Sequence, residues 1–340
     1  MKKKSLNILG LILLVGLIAW ISWSQLSRDE RPFVFLEGKA LGVFYAISYQ
    51  GDPLLEKGMD SLINEFDHIV NLDLPLSEVS RFNRYGTIEN YSPHLFHLLQ
   101  ESKKYHRISG GVVSHSILPL ITAWGRDFSK KLEMSQERMD SLIALCDISN
   151  IEIKPESINS RLVGVMLDLN YLDKGYLIDQ LSKYLRRNGV TNFQIEFGID
   201  GITSGSTKDQ NAHNFIINLP KDLKEKTLIT NKIKLKNTAY SSSGSLDKFY
   251  VDEKGNKHSH LIDPRTGLPL ANGILSTHIK SSSCLHADAV ATICMILSLE
   301  ESQKLIEKDP DLEGMIIYNQ NGDLRIWQSK GFNKTISCFS

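Results

Sequence analysis

The chain has 340 residues, 41% of them hydrophobic, with ten prolines and no low-complexity run. That is ample material for one large domain or two lobes, and it argues against a disordered chain. Lysine plus arginine and aspartate plus glutamate balance at 39 each, so nothing in the charge suggests nucleic acid as a partner. Lys2, Lys3 and Lys4 are the only charges in the first 26 residues, which leaves 36 basic against 39 acidic residues in the remainder.

The three lysines precede an apolar run, Leu6–Trp23. It is roughly long enough to cross a bilayer, which takes about 17–25 residues. Trp20 and Trp23 suit the outer interface. The pattern predicts an uncleaved N-terminal signal anchor, a transmembrane helix within 1–27, and a domain over 28–340. With the lysines in the cytoplasm, the chain is single-pass in the inner (cytoplasmic) membrane and the domain faces the extracytoplasmic, periplasmic side. A cleaved signal peptide is the alternative, but no small-x-small site follows the run, and no Cys near its end offers a lipid anchor. Cys146, Cys284, Cys294 and Cys338 match no zinc spacing. In an exported domain a disulfide is available to them, and the spacing selects no pair.

Phe44–Tyr49 has strand character. Residues 54–70 form an amphipathic helix, with Leu55, Met59, Leu62, Ile63, Phe66 and Ile69 at helical spacing. Ser77 has Glu78 adjacent rather than three residues on, so it is not a capping box. The segment to Asn83 reads as a turn, its serines and Asn83 available to a ligand. Residues 93–108 make another helix, closed by Gly110-Gly111. His115 reads as an ordinary polar residue.

Residues 165–189 read as strand, short turn and helix, ending on Asn188-Gly189. A helix start fed by a strand is suited to phosphate, through free N–H groups and the positive dipole end. Lys174 in that first turn is disfavoured by the dipole, which supports a functional role. Asp179 lies one turn beyond Gly175 on the same face. Phe193–Gly201 alternates as a strand. Ser242-Ser243-Gly244 allows close backbone approach to a ligand, though a plain Ser-rich turn looks the same.

Asp263, Pro264 and Gly267 fit a type I turn, which puts His260 at a strand end and Asp263 at the lip of the turn. Such a pair suits a base or a ligand clamp; a polar hairpin with a solvated His fits equally well. Asp288 and Thr292, at i and i+4 of a helix, share a face. A carboxylate and a hydroxyl together suit Mg²⁺, which prefers oxygen ligands. The alternative makes Asp288 a helix cap or first-turn carboxylate and Thr292 back-bonded to the helix. Leu312–Trp327 reads as two strands around the turn-rich Asn319–Asp323.

The blocks Ser259-His260-Leu261-Ile262-Asp263-Pro264-Arg265-Thr266-Gly267-Leu268-Pro269 and Ala287-Asp288-Ala289-Val290-Ala291-Thr292 resemble the ApbE family, the FAD:protein FMN transferases. Weaker blocks extend the likeness, in order, over about 38–327. Gly42 and Tyr45 match "M-G-T-x-Y", with Leu41 and Val43 at the Met and Thr positions. Ser77-Glu78-Val79-Ser80-Arg81-Phe82-Asn83 is similar to "S-E-I-S-x-x-N". Pro119-Leu120 and Trp124-Gly125 match, while Ser114 replaces the usual Asp. Asp168, Lys174, Gly175, Tyr176 and Asp179 match "D-L-G-G-I-A-K-G-Y-x-x-D", with Asn170-Tyr171 at the glycine pair and Asp173 at the Ala. Ile199 stands at a glycine of "G-G-[DE]".

The resemblance implies an α+β fold of two lobes, with mixed or antiparallel sheets and packed helices, and FAD between the lobes. It implies Mg²⁺-dependent transfer of the FMN half of FAD to a threonine hydroxyl of an acceptor protein of electron-transport type, releasing AMP. Asp288, Thr292 and the Asp173 carbonyl would then hold Mg²⁺, and Lys174 with the helix start at about 173 would offset phosphate charge. His260 would be the base for the acceptor and contact FAD, with Asp263 helping to fix it. Leu41, Tyr45, Ser243 and Asp179 would contact FAD. Two other readings are an FAD pyrophosphatase giving FMN and AMP, and a non-catalytic FAD-binding protein, the latter suggested by Val43, Ser114 and Ile199.

Overall fold

The computed structural model describes residues 15–17, 31–125, 134–209, 211–216, 229–244, 249–251, 257–259, 261–332 and 336–338. Among these, no helix is long and apolar enough to cross a membrane. The predicted anchor, 1–27, lies outside the described residues apart from 15–17.

β1 (Phe33–Ala40) and β2 (Val43–Gln50) pair antiparallel. Leu41 and Gly42 join them at φ +50° and +74°, the mirror-image turn whose twist suits a hairpin. Leucine is uncommon in that region; here its N–H donates to Asp67 Oδ1 at 2.9 Å. α1 (Leu55–Val70) follows as the spacing predicts, burying Met59, Ile63, Phe66, Ile69 and Val70. Each such side chain contributes about 1.5–3 kcal/mol on burial.

The segment read as a turn is a helix, α2 (Glu78–Tyr85). Ser77 caps it by accepting the Ser80 N–H. Glu78 reaches away to accept the Ser92 N–H instead, so the cap works without the reciprocal glutamate of a capping box. β3 (Thr87–Glu89), α3 (Pro93–Ile108), α4 (Leu118–Trp124), α5 (Gln136–Leu145), β4 (Ile151–Lys154) and β5 (Ser157–Ser160) come next. β3, β5 and β4 form a small antiparallel sheet.

Residues 165–169, expected as a strand, form none and belong to no sheet. Their backbone is satisfied from elsewhere. Asn83 Nδ2 donates to Leu167 O at 2.9 Å, its Oδ1 accepts the Leu167 N–H, and His115 O accepts the Asp168 N–H at 2.8 Å. Asn83→Ala would leave two polar groups of fully buried Leu167 unpaired. At about 1–3 kcal/mol each, the expected loss is about 3 kcal/mol, read as a lower urea midpoint at unchanged slope.

α6 (Asp173–Arg187) starts four residues later and ends at Asn188, with Gly189 at φ +73°. The single strand expected over 193–201 is a hairpin. β6 (Phe193–Phe197) and β7 (Asp200–Ser204) are joined by Gly198-Ile199, because Gly198 takes φ +61°. β8 (His213–Ile216), β9 (Ile229–Leu235), β10 (Ala239–Gly244), β11 (Phe249–Val251), β12 (Lys257–Ser259) and β13 (Ile274–Ser281) lead to α7 (Cys284–Ile296) and α8 (Leu299–Lys308). β14 (Glu313–Gln320) and β15 (Asp323–Gln328) turn at Asn321-Gly322, as that dipeptide predicts, and β16 (Ile336–Cys338) closes the chain.

Eight strands form one antiparallel sheet in the order β1-β2-β6-β7-β10-β13-β14-β15. Alternation sends neighbouring residues to opposite faces. Ile202, Ala239, Ile279 and Ile316 face a large core shared with α1, α3, α6 and α7. Tyr240, Met315 and Ile317 face a second core under the sheet β16-β9-β8, with Phe215 and Phe332. The fold is thus α+β with antiparallel sheets, as expected.

Candidate functional site

The inner face of the sheet brings together the start of α6, the second turn of α7 and the start of β7. Lys174 Nζ lies 3.1 Å from Asp173 Oδ1 and donates to Asn170 O at 3.0 Å. Asp173, Asp200 and Asp288 are all buried. Asp200 accepts Ser241 Oγ–H at 2.6 Å, and Asp288 Oδ2 accepts the Gly175 N–H at 3.0 Å. Three buried carboxyls therefore share one lysine.

Their electrostatics follow from that imbalance. Burial opposes the Lys174 charge, but Asp173, Asp288 and Asp200 outweigh it and hold the ammonium above the ordinary lysine value. Burial, and then the Asp200 charge, push Asp288 up to about 8 against the pull of Lys174. Burial likewise raises Asp200, opposed by Lys174 and Ser241. The cluster is short of positive charge.

That shortage fits a divalent cation. Asp288 supplies a buried carboxyl, Thr292 lies one turn further along α7, and the peptide of Asp173 opens α6. The cap of α7 is Ser283, which accepts the His286 N–H, so Asp288 sits a turn inside the helix and is not its cap. Among the described residues no three His, Cys, Asp or Glu side chains are grouped to hold a metal unaided. Mg²⁺ fits such a set, because it takes one or two carboxylates and completes its shell with water and phosphate.

Burial of Asp288 makes the stability of the metal-free protein depend on pH. The folded protein keeps a proton that the unfolded chain releases near pH 4, at the ordinary value of 3.8. Without metal, the destabilisation from Asp288 is absent below about pH 4, grows as pH rises, and is complete above about pH 8. Thermal midpoints of metal-free protein should fall over that window, and Asp288→Asn, which cannot ionise, should flatten the slope.

α6 and α7 meet closely. A Cβ on Gly175 would lie 2.5 Å from Cys284 O and 2.8 Å from Asp288 Cβ, so only glycine allows this approach. Asp179, expected at FAD, is occupied by α7: it accepts Ser283 Oγ–H at 2.6 Å, the Cys284 N–H at 2.9 Å and the Leu285 N–H at 3.1 Å.

Asp263 is buried at the turn, as expected, but its carboxylate is committed to Arg265. It accepts the Arg265 backbone N–H at 2.9 Å and the guanidinium at 2.8–3.2 Å. The turn spans Asp263–Thr266, with Gly267 one residue beyond at φ +69° and its N–H donating to Asp263 O at 2.8 Å. Trp124 Nε1–H donates to Gly267 O at 2.8 Å. His260 lies outside the described residues; β12 runs to the residue before it.

Leu41 forms the β1–β2 turn, and Tyr45 stacks on Phe197 at 5.0 Å and 19°. Gly38 makes room for it, since a Cβ there would lie 2.5 Å from the Tyr45 hydroxyl. Ser243 is half-buried in β10, opposite Thr277 of β13. Ile199 is half exposed at its hairpin tip. An open cleft of about 720 Å³ borders Phe44, Tyr45, Glu196 and Gly198. None of Asp173, Lys174, Asp200 and Asp288 lines it.

Asp200 is not among the site residues expected from the sequence, although its segment is one of the family-like blocks. The signal was an acidic residue two positions after a glycine at a strand break, where the family motif carries an acid. Its approach to Lys174 and Asp288 depends on sheet and helices meeting.

The sequence profile of the ApbE family matches residues 41–316. A Vibrio cholerae protein named FAD:protein FMN transferase is 25% identical over 94% of this chain and 98% of its own. The Escherichia coli K12 protein of the same name is 23% identical over 87% of each. Among solved structures, the flavin transferase ApbE from Vibrio cholerae superposes with a TM-score of 0.76 at 22% identity, over 89% of this chain and 99% of that one. The apo flavinyl transferase ApbE from Pseudomonas stutzeri does so at 0.77 and 19%, over 89% and 96%.

Proposed function

This chain belongs to the ApbE family, and from that premise we propose that it transfers the FMN half of FAD to an acceptor protein. The finer reading is attack by a threonine hydroxyl of the acceptor on the FMN phosphorus. A new phosphoester P–O bond forms, the P–O bond to the AMP phosphate breaks, and AMP leaves. Little covalent work falls to the protein in such a displacement; positioning and charge neutralisation dominate.

The observation that carries this reading is Lys174 among Asp173, Asp200 and Asp288 at the start of α6. Lys174 is the charge suited to the diphosphate; the N–H groups expected to be free beside it are not, because those of Asp173, Lys174 and Gly175 donate to Leu169 O, Asp173 Oδ1 and Asp288 Oδ2. Asp288, Thr292 and the Asp173 carbonyl are the oxygens for Mg²⁺, which when bound would offset diphosphate charge. His260 takes the proton of the acceptor hydroxyl, and Asp263 with Arg265 shapes the turn that follows it. Leu41, Tyr45 and Ser243 are the residues proposed at FAD, which lies between two lobes of the 28–340 domain. Residues 1–27 anchor the chain in the inner membrane with the domain on the periplasmic side, as Lys2–Lys4 and the following apolar run support.

The test incubates the full chain with FAD, Mg²⁺ and an acceptor domain bearing a target threonine. The expected result is an acceptor mass increase of one FMN, lost when that threonine is replaced by alanine. AMP release with unlabelled acceptor would favour the pyrophosphatase; FAD binding with neither product would favour the carrier.

A further inference from the structure

Helix α7 is apolar on nearly every face. Eleven of its thirteen residues, Cys284–Ile296, are buried, so packing alone offers no stripe to set its rotation or its position along its axis. Polar anchors must do so. One is the Gly175 N–H on Asp288. Another is Thr277 Oγ1–H, which donates to Ala291 O at 2.6 Å. At the C-terminal end Ser302 Oγ–H donates to Cys294 O and Asn272 Nδ2 to Met295 O, and His286 meets Tyr105 and Asp309; at the N-terminal end the anchor facing the cluster comes from α6, where Asp179 accepts three hydrogen bonds from Ser283, Cys284 and Leu285. A carboxylate at that end also meets the positive pole of α7.

Gly175 and Asp179 are one turn apart on α6, and Asp288 lies one turn after Cys284 on α7. The two contacts thus fasten successive turns of one helix to successive turns of the other. We infer that Asp179 is a positioning residue for metal binding: by capping α7 from α6 it sets where Asp288 and Thr292 stand relative to Asp173 and Lys174, without touching FAD. This rests on the reading of Asp288 as a metal ligand.

The experiment uses the full chain with Mn²⁺ as the probe ion, its free concentration followed by electron paramagnetic resonance in the presence of FAD. FAD binding to metal-free protein is followed separately by flavin fluorescence. Asp179→Ala should weaken Mn²⁺ binding about tenfold or more, the usual scale for a residue that orients a ligand, while metal-free FAD affinity stays within about twofold. Asp179→Asn keeps one acceptor oxygen and should fall between. If Asp179→Ala does not fold, Ser283→Ala, which removes one of the three bonds together with the cap on the His286 N–H, should weaken Mn²⁺ binding in the same direction by less, and Ser283→Thr, which keeps the hydroxyl, should restore it.

Unchanged Mn²⁺ affinity in a folded Asp179→Ala chain would overturn the positioning role. Weakened metal-free FAD binding with Mn²⁺ unaffected would overturn it in favour of a direct flavin contact. A wild-type chain that binds FAD but no Mn²⁺ would overturn the metal reading, and this inference with it.

Discussion

Asp288→Ala is expected to lower metal-dependent FMN transfer by about 10³-fold while leaving the fold intact. The two effects separate because the carboxyl is a liability to the metal-free fold. Burial and Asp200 push it up to about 8, so removing it relieves the cost of holding a carboxyl protonated at neutral pH. The partial offset is the Gly175 N–H, which loses its acceptor at about 1–3 kcal/mol. A metal that neutralises charge at a transferring phosphoryl group contributes several kcal/mol, and each 1.36 kcal/mol is tenfold in rate. The measurement is single-turnover transfer with and without Mg²⁺, alongside thermal melts of metal-free protein. Full activity in the variant would falsify the metal assignment.

Gly175→Ala should be destabilising and should depress transfer together with it. In an exposed helix the same change stabilises by about 1 kcal/mol, from backbone entropy. Here the new methyl would sit 2.5 Å from Cys284 O and 2.8 Å from Asp288 Cβ. The first of these is backbone and cannot rotate aside, so α6 and α7 must separate. Overpacking of that kind costs about 1–3 kcal/mol, which exceeds the entropy gain. Because α7 carries Asp288 and Thr292, the displacement falls on the proposed metal ligands. Urea midpoints and Mg²⁺ titrations of transfer should both shift. A variant more stable than the wild type would show that the helices adjust without strain.

Several elements were legible because their causes are local. The apolar spacing of α1 specifies a helix whatever it packs against. Asn321-Gly322 specifies a hairpin turn because both residues accept positive φ. Asp288 and Thr292 share a helix face from i, i+4 spacing alone. Other features were read wrongly for an equally physical reason. Residues 165–169 carry a strand-like pattern, yet their hydrogen bonds go to Asn83, 84 residues away from Leu167, and to His115. The alternation through 193–201 conceals a chain reversal at Gly198.

By itself, the sequence determined the α+β class, the local elements with strong periodicity or turn chemistry, and family resemblance through its two specific blocks. Tertiary structure alone decided that Asp200 joins Asp173, Lys174 and Asp288, that Asp263 is held by Arg265, and that Asp179 caps α7 from α6. These are facts of low-dielectric surroundings and long-range contact. Burial turns ordinary carboxylates into a cluster short of positive charge, and burial is a property of the packed chain rather than of any segment of it.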